Sequence, residues 1–413
     1  MTSGPEAQEL RARFGVPESV KLGVNDWGWL RILAAGYDAE LERRGYFYIG
    51  ARELERLSGR QPRLMAKHDF STSRPWIFQR LQLGIVPVSR SEYLVGRFNL
   101  YERFPETQRG EVRTLELPAG LDTLSLEGVS SEAVALNGAS ASGMLENFLG
   151  CGPLQATVAG RMSTRGLKVR LPDLGVDVAV DRAQMEIDGG FESLEHLVLV
   201  EAKNHLSDDF NIRQLYFPYR RFQQRLAKDV VPVYLVYSNG IFHLYRYEFR
   251  DPADFRSIAL VDSARYALSA SHLDAQAALD IVRAVEPEPE PAVPFPQANS
   301  FERVVNLLEL MALQPLSKAE ITHRYDFDPR QADYYANAAR YLGLAEPVEE
   351  AWEPTEHGRR VIEQPQRDAR NAALIRTLAA RRVFREVLEL SLARGAVAST
   401  AEIIAAMDDL GLS

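Results

Sequence analysis

Alternation of apolar and polar residues predicts a series of β-strands in the middle of the chain, because successive side chains of a strand point to opposite faces. The predicted strands are Leu154–Met162, Val176–Asp188, Leu197–Lys203, Val231–Tyr237 and Ile241–Phe249. Apolar residues at helical spacing predict helices over Ala139–Leu149 and Asp209–Leu226. This order of elements indicates an α/β fold with a mixed central sheet flanked by helices.

The sequence on either side of this region predicts two smaller domains. The N-terminal part predicts an α+β domain, with a helix over Trp27–Arg44, a strand over Gly45–Ile49 and a helix over Ala51–Leu57. The C-terminal part predicts, in order, a helix over Phe301–Met311, a helix that starts at the capping box Ser317–Glu320, a helix over Arg330–Leu342, an extended piece over Leu344–Glu353 and a helix that starts at Thr355–Gly358. Three helices followed by a small hairpin are typical of a winged helix.

Residues Glu286–Pro296 are rich in glutamate and proline, and proline neither continues a helix nor pairs in a central strand. This segment predicts a stiff, extended linker. A chain of 413 residues is long enough for roughly two to four domains. We therefore expect an N-terminal α+β domain (1–117), an α/β core (129–285), a Pro/Glu-rich linker (286–298) and a helical, winged-helix-like domain (299–413).

Composition narrows the function classes only slightly. The net charge of −9 does not by itself favour a nucleic-acid partner, but net charge says nothing about a local cleft. The single cysteine, Cys151, cannot form an internal disulfide and is typical of a small core residue. No run of about 18 apolar residues and no signal sequence is evident. We expect a cytoplasmic protein without a membrane partner.

Charged residues cluster where two predicted strands meet. Alternation places Gln184, Glu186 and Asp188 on one side of the first strand. In the next strand, Glu201 and Lys203 share a face. Because burying an isolated charge costs several kcal/mol, such a cluster on apolar strands indicates a functional site.

The cluster has the ligands that a divalent metal needs. Asp188, Glu201 and the main-chain carbonyl of Ala202 can hold Mg²⁺, which prefers oxygen ligands. Lys203 can then orient or help deprotonate an attacking water and stabilise developing negative charge. Glu186 is either a ligand of a second metal or metal-bound water, or a bystander. The competing interpretation is an ion pair between Lys203 and one of these carboxylates on a solvated edge strand.

An acidic residue at the end of one strand, Glu-Ala-Lys in the next and a following helix resemble the PD-(D/E)XK nuclease superfamily. The matching residues are Asp188, Glu201 and Lys203, with Ile187 where the motif name has proline. The resemblance implies a restriction-endonuclease-like core. It also implies an acid on the preceding helix, for which Glu146 is the first candidate and Glu132 the second, and a role for Gln214 in contacting the attacking water or the phosphate.

Several longer sequence segments resemble a group of type II restriction endonucleases, among them Gln184–Glu192, Val200–Asn204 and Phe210–Arg220. The resemblance spans much of residues 25–260. It implies Mg²⁺-dependent cleavage of double-stranded DNA at a short specific sequence. It also implies a cognate methyltransferase that protects the same site in the host. If the target is palindromic, we expect a homodimer, because protein symmetry would then mirror that of the DNA.

Three segments carry candidates for DNA contact. They are Arg63 and Lys67 in the basic, aromatic-bearing stretch Gly59–Arg80; Arg213, Arg220 and Arg221, with Arg225, on the helix after Lys203; and Arg330, Gln331, Asn337 and Arg340 on the predicted recognition helix. The alternatives are a solvated rim for the N-terminal stretch and a packing or dimerisation role for the C-terminal domain.

Two other functions fit parts of this pattern. One is a DNA-binding regulator or assembly subunit with a winged helix and an inactive nuclease-like core. The other is a DNA repair or Holliday-junction nuclease, although such cores are usually much smaller than this chain. The intact set of acids and lysine favours a site-specific endonuclease, since an inactive core has no physical need to keep them together.

Overall fold

The computed structural model describes residues 4–105, 111–121, 123–124, 131–269, 273–325, 329–409 and 411. The N-terminal part contains helices α1 (Gly4–Phe14), α2 (Val24–Ile32), α3 (Asp38–Arg44), α4 (Ala51–Ser58), α5 (Pro62–Ala66) and α6 (Trp76–Leu81), and strands β1 (Tyr46–Gly50), β2 (Gly84–Pro87) and β3 (Glu92–Gly96). The strands form an antiparallel sheet in the order β1-β3-β2, packed on buried residues such as Trp29 and Phe78. The α+β character predicted for this part is therefore present.

The predicted helix over Trp27–Arg44 is not continuous. A π-helical turn, Leu33–Tyr37, separates α2 from α3, and within it Gly36 has a φ of 111°. A residue with a side chain rarely adopts this backbone conformation, so the glycine marks the point where the helix bends.

The central part contains β4 (Tyr101–Arg103), β5 (Val112–Thr114), α7 (Glu132–Ala141), α8 (Met144–Leu149), β6 (Gln155–Ser163), β7 (Leu167–Leu171), β8 (Val176–Val180), β9 (Gln184–Glu192), β10 (His196–Lys203), β11 (Asp209–Asn211), α9 (Arg213–Gln223), β12 (Asp229–Ser238), β13 (Ile241–Phe249), β14 (Ile258–Ala267) and α10 (Ala275–Ala284). Seven strands form one mixed sheet in the order β5-β14-β13-β12-β10-β9-β6, in which the β10/β12 and β14/β5 pairs are parallel. The predicted mixed α/β architecture is confirmed.

Strand β10 lies in the interior of this sheet and is covered on both faces. Leu197 and Leu199 pack in a core that includes the apolar side of α9, whereas Val198, Val200 and Ala202 pack in a second core with α7 and α8. A nearly continuous apolar run is typical of a strand buried on both sides. The charges that end this strand are therefore not on a solvated edge, which removes the edge-strand interpretation.

Four local predictions in this part were wrong. The stretch Val176–Asp188 is two strands, β8 and β9, because Arg182 adopts a positive φ of 56° between them. The helix Ala139–Leu149 is divided at Gly143, which has a φ of 69°. Asp209 begins strand β11, which pairs with β4, so α9 starts only at Arg213. The sequence also indicates a bend at the Gly-Gly pair that follows Asp188, but Gly189 and Gly190 lie inside β9.

The C-terminal part contains α11 (Phe301–Leu313), β15 (Leu316–Ser317), α12 (Lys318–Tyr325), α13 (Pro329–Tyr341), β16 (Ala345–Val348), β17 (Ala351–Pro354), α14 (Glu356–Ile362), α15 (Arg367–Ala379), α16 (Arg382–Arg394) and α17 (Thr400–Asp409). Its strands form a small sheet in the order β15-β17-β16. The capping box forms as predicted, since Ser317 N donates to Glu320 Oε2 at 2.8 Å and Glu320 N to Ser317 Oγ at 3.2 Å. The predicted order of three helices and a hairpin is present.

The Pro/Glu-rich linker is extended, but it is attached to the C-terminal helices. Glu288 N donates to Ala380 O at 2.8 Å, and Arg381 contacts the Glu288 carboxylate at 3.1 Å. Further along, the rings of Phe295 and Phe384 stack with their centroids 5.7 Å apart. The segment is therefore part of the C-terminal unit and not a free spacer.

The buried carboxylate of an ion pair within the C-terminal helices also accepts hydrogen bonds from the central sheet. Arg370 Nη1 lies 3.3 Å from Glu309 Oε1, and the two side chains are only 4% and 6% exposed. Ser238 Oγ and Asn239 N, at the end of β12, also donate to the Glu309 carboxylate, at 2.9 and 3.0 Å. Burial nevertheless raises the pKa of Glu309. Groups of both domains thus bind the one buried carboxylate of Glu309.

None of the helices in the described part of the chain combines the length and the apolar character needed to cross a lipid bilayer.

Candidate active site

The candidate site lies where strands β9 and β10 separate. The two strands are paired only from Gly189–Glu192 to Leu197–Val200. Immediately beyond this pairing, Asp188 Oδ2 accepts a hydrogen bond of 2.9 Å from the backbone amide of Ala202. The side chain of Asp188 thus replaces the missing ladder bond, and its carboxylate is fixed at the end of β10.

Three oxygen groups converge on the ammonium of Lys203. Its Nζ lies 2.5 Å from Glu201 Oε1, 2.9 Å from the carbonyl oxygen of Ala202 and 3.7 Å from Asp188 Oδ2. The side chains of Lys203 and Glu201 are only 13% and 9% exposed. These oxygens are the ones that the sequence predicts as magnesium ligands, and they already surround a cation.

Gln214 approaches the same carboxylate from helix α9. Its Nε2 donates to Glu201 Oε1 at 2.7 Å. The neighbouring residues Leu215 and Phe217 are buried in the core, which fixes this helix against the sheet. The other amide atom, Oε1, is buried without a hydrogen-bond partner. A buried acceptor without a partner is costly, so this oxygen is ready to accept from a donor such as a bound water.

Burial and charge set the protonation of the central pair. Burial raises the pKa of Glu201 to about 7, with Asp188 and Asp69 adding to the rise and Lys203 opposing it. Burial also opposes the charged form of Lys203, but Glu201 and the other surrounding groups outweigh it and raise the lysine pKa well above its ordinary value. Lys203 is therefore charged at neutral pH, while Glu201 titrates close to neutrality.

Asp69, which the sequence did not connect with the site, reaches it from the N-terminal domain. Its carboxylate lies 3.2 Å from Lys67 Nζ and faces Lys203 and Arg213. Burial alone would raise the pKa of Asp69, but these three cations outweigh it and lower the pKa. Asn211 N donates to Asp69 O at 2.9 Å, which holds the backbone in place. The available signal was that Asp69 is the sole acid in the basic stretch 59–80.

The acid contributed by the helices ahead of the sheet is Glu132 and not Glu146. Glu132, in the first turn of α7, faces Lys203 and Asp188 and accepts a hydrogen bond from the backbone amide of Asn204. Burial raises its pKa. Glu146 instead accepts from Leu154 N at 3.0 Å and so holds the turn that leads into β6. The prediction that ranks Glu146 first is therefore wrong, because Glu146 lies in α8, which the break at Gly143 separates from α7, and its carboxylate binds the turn before β6.

Glu186 does not join the cluster. Its carboxylate is 55% exposed and lies 3.6 Å from Arg161 Nε of the neighbouring strand β6. Between two paired positions, Val158↔Gly190 and Gly160↔Ile187, β6 advances by two residues and β9 by three. The extra residue interrupts the alternation on which the prediction for Glu186 rested. Glu186 is therefore a bystander, and Gln184, still further along β9, is exposed.

A tyrosine hydroxyl, also missed by the sequence reasoning, faces the same cluster. Tyr234 lies beside Glu201 in the register of β10 and β12. Its ring packs against Phe210, and its hydroxyl is buried without a hydrogen-bond partner. Burial raises the tyrosine pKa well above its ordinary value, so the group is a neutral donor.

The arginines predicted for helix α9 differ in their availability. Arg220 is 6% exposed, and its Nη1 donates to Tyr216 Oη at 2.7 Å and to the carbonyl oxygen of Pro252. Its predicted contact with DNA is wrong, because the guanidinium is used inside the fold. Arg221 is half-buried beside two other cations, Arg225 and Arg165, and its pKa is lowered by burial and by both neighbours.

The remaining DNA-contact candidates lie in the flanking domains. Arg63 is exposed, and Lys67 is half exposed beside Asp69. On α13, Asn337 is half-buried and Arg340 is exposed. The side chains of Arg330 and Gln331 lie outside the described residues.

The oxygen groups fit the metal that the sequence predicts. In the part of the chain that the structure describes, no group of three or more His, Cys, Asp or Glu side chains is arranged to hold a metal ion. The predicted set needs only two carboxylates, Asp188 and Glu201, with the carbonyl of Ala202 as the third ligand. Sites of this kind suit Mg²⁺, which keeps several of its waters.

Comparison with known families divides the chain into three consecutive matches. A domain of unknown function (DUF6996) matches residues 26–95, a second (DUF6997) matches residues 96–267, and a third (DUF7226) matches residues 303–413. No match to the chain was found among curated proteins or among solved structures. The candidate site lies within the second match, with Asp69 contributed by the first. The chain is thus similar to three domains of unknown function arranged in series.

Proposed function

We propose that this protein is a site-specific endonuclease of the type II restriction class, which hydrolyses double-stranded DNA in a Mg²⁺-dependent reaction at a PD-(D/E)XK-type site. The observation that carries the proposal is the convergence of Asp188, Glu201 and the Ala202 carbonyl on the ammonium of Lys203. An acid at the point where β9 separates from β10, a buried strand that ends in Glu-Ala-Lys and a following helix with Gln214 support the same class.

Asp188, Glu201 and the carbonyl of Ala202 would hold the magnesium ion. When bound, it would supply charge neutralisation at the scissile phosphate and a more acidic water. Burial raises the pKa of Glu201 to about 7 even beside the Lys203 ammonium, and a bound cation would favour its charged form further.

Lys203 and Gln214 would position the nucleophile. The surrounding acidic groups raise the pKa of Lys203 well above its ordinary value, and as a charged donor the residue would orient water and stabilise negative charge on the phosphate. The Oε1 atom of Gln214, buried without a partner, can accept a hydrogen bond from the attacking water. Both side chains contact Glu201, so each helps to hold the other in place.

DNA contact would come from the basic groups around this cluster. Arg221, Arg225 and Arg165 form a group of cations, and Arg213 lies beside Asp69. The flanking domains would select the sequence, with Arg63 on one and Asn337 and Arg340 on the other as candidates. A homodimer, a cognate methyltransferase that acts on the same site and a cytoplasmic location belong to the same proposal.

Digestion of DNA of known sequence by the purified protein tests the proposal. We expect discrete fragments with Mg²⁺ and none with EDTA, and end mapping would then give the recognition sequence and the cut positions. Bound but intact DNA under both conditions would favour a regulator or assembly subunit with an inactive core. Preferential cleavage of branched or damaged substrates would favour a repair nuclease.

Substitution of Arg221 by alanine should weaken DNA binding at all sequences, since a contact with phosphate does not read bases. We expect the slope of log K against log salt to become smaller by about 0.9 for each phosphate contact that is lost. Titrations at several salt concentrations measure this slope. Arg220→Ala is the matched control, because its guanidinium is buried inside the fold; it should lower thermal stability and leave the slope unchanged. Equal slopes for wild type and Arg221→Ala would show that helix α9 does not contact DNA phosphates through this residue.

A further inference from the structure

A single asparagine of the C-terminal domain holds the loop that follows Lys203. Asn306, in helix α11, is completely buried. Its Nδ2 donates to the carbonyl oxygen of Asn204 at 2.9 Å, and its Oδ1 accepts from the backbone amide of Leu206 at 3.0 Å. One side-chain amide therefore binds both a backbone carbonyl and a backbone amide of Asn204–Leu206. Only a side chain with a donor and an acceptor on the same amide group can do this.

The position of Asn306 is unfavourable unless these partners are present. The adjacent residues Val305, Leu307 and Leu308 are buried in the C-terminal core. Besides the loop, Asn306 Nδ2 contacts Glu309 Oε2 at 3.2 Å, and Glu309 is in turn bonded to the end of β12. Because buried polar groups are costly without hydrogen bonds, two polar residues on this apolar helix face indicate a surface built for the neighbouring domain.

The loop that Asn306 holds is part of the candidate active site. It begins directly after Lys203, and its Asn204 amide donates to the Glu132 carboxylate. On the other side, the His205 ring meets the Phe70 ring edge-on, with centroids 4.9 Å apart. Arg303, one turn before Asn306, pairs with Asp208. The loop is thus fixed from both flanking domains, and its conformation determines where Lys203 and Glu132 lie.

We infer that Asn306 is a positioning residue for the catalytic lysine, so that the active site of the central domain is complete only when the C-terminal domain is docked. This inference rests on the proposed nuclease function. The hydrogen bonds of Asn306 described above go to Asn204, Leu206 and Glu309, and none of these is a predicted metal ligand. It acts through the backbone of Asn204 and Leu206, whose displacement would move the ammonium of Lys203 away from Glu201 and Asp188.

The test compares Asn306→Ala with Asn371→Ala in the full-length protein. Asn371 lies at the same domain interface, where its Oδ1 accepts from Asn239 Nδ2 at 3.2 Å, but it does not touch the loop. Because small misplacements of catalytic groups are costly, we expect Asn306→Ala to lower kcat for Mg²⁺-dependent cleavage by about 10-fold to 100-fold, with DNA affinity unchanged. Hydrogen exchange at Asn204–Leu206 should accelerate in this variant. Asn371→Ala should alter neither kcat nor the exchange.

Each remaining outcome overturns the inference in a distinguishable way. If wild type cleaves DNA and Asn306→Ala has the same kcat and exchange, the loop does not depend on this residue. If Asn306→Ala and Asn371→Ala lose kcat, DNA binding and thermal stability in parallel, Asn306 has only a structural role. If wild type itself does not cleave, the proposed function fails and the inference with it.

Discussion

Lys203→Ala or Asp188→Asn should abolish cleavage of plasmid DNA in the presence of Mg²⁺ while DNA binding is largely retained. Loss of one preorganised charged group at such a site lowers the rate by about 100-fold to 1,000-fold or more. The fold should tolerate Lys203→Ala, because the pKa of Glu201 is already about 7 and its carboxylate can take up a proton when the ammonium is removed. Cleavage assays and DNA titrations on the same samples measure both effects.

Glu186→Ala is the matched control for these variants. It removes a carboxylate from the same strand, β9, but that carboxylate is exposed and pairs with Arg161. We expect wild-type cleavage from this variant. Wild-type cleavage rates from Lys203→Ala or Asp188→Asn would refute the assignment of the site. A large loss of cleavage rate in Glu186→Ala would mean that Glu186 belongs to the active site.

Arg370→Ala should lower the free energy of unfolding by about 3 to 5 kcal/mol, because it leaves the carboxylate of Glu309 buried without its counter-ion. Urea denaturation followed by two spectroscopic probes measures the change. If the C-terminal helices detach before the sheet unfolds, the two probes should report two separate unfolding transitions.

A double substitution and a surface pair serve as controls for this prediction. Replacing both Glu309 and Arg370 by leucine should destabilise the protein less than Arg370→Ala, since no unpaired charge remains. Arg56→Ala, which removes one partner of the exposed pair with Glu53, should leave the urea midpoint nearly unchanged. A small effect of Arg370→Ala would mean that Glu309 takes up a proton or is reached by water.

Local sequence patterns predicted the centre of the site. The apolar run of β10 ends in Glu201 and Lys203, and the acid of the preceding strand is Asp188, so chain neighbours suffice to bring the three together. The same reasoning failed for Glu186, because one extra residue in β9 interrupts the alternation. Periodicity does not report such an irregularity, since no residue type marks it.

Contacts between distant segments were beyond the reach of these patterns. Asp69 and Asn306 lie in other domains, and both meet the site through backbone and side-chain geometry that has no periodic signal. The mixed α/β order and the helix–hairpin order of the C-terminal part could be predicted, because each element carries its own spacing and capping residues. The packing of the linker against the C-terminal part could not be predicted. The proline content indicates that the linker is stiff, but it does not indicate which surface the linker contacts.

The charged interface between the central sheet and the C-terminal helices limits how this protein can be rearranged. Asn306, Glu309 and Arg370 are matched to Ser238 and to the backbone of Asn204 and Leu206. A chimera that imports the C-terminal region of another protein would leave these groups facing incompatible partners, unless both sides were exchanged together. We therefore expect the central and C-terminal parts to tolerate exchange only as one unit. A change in the specificity of the proposed endonuclease would then need substitutions on their outer surfaces and not exchange of a single domain.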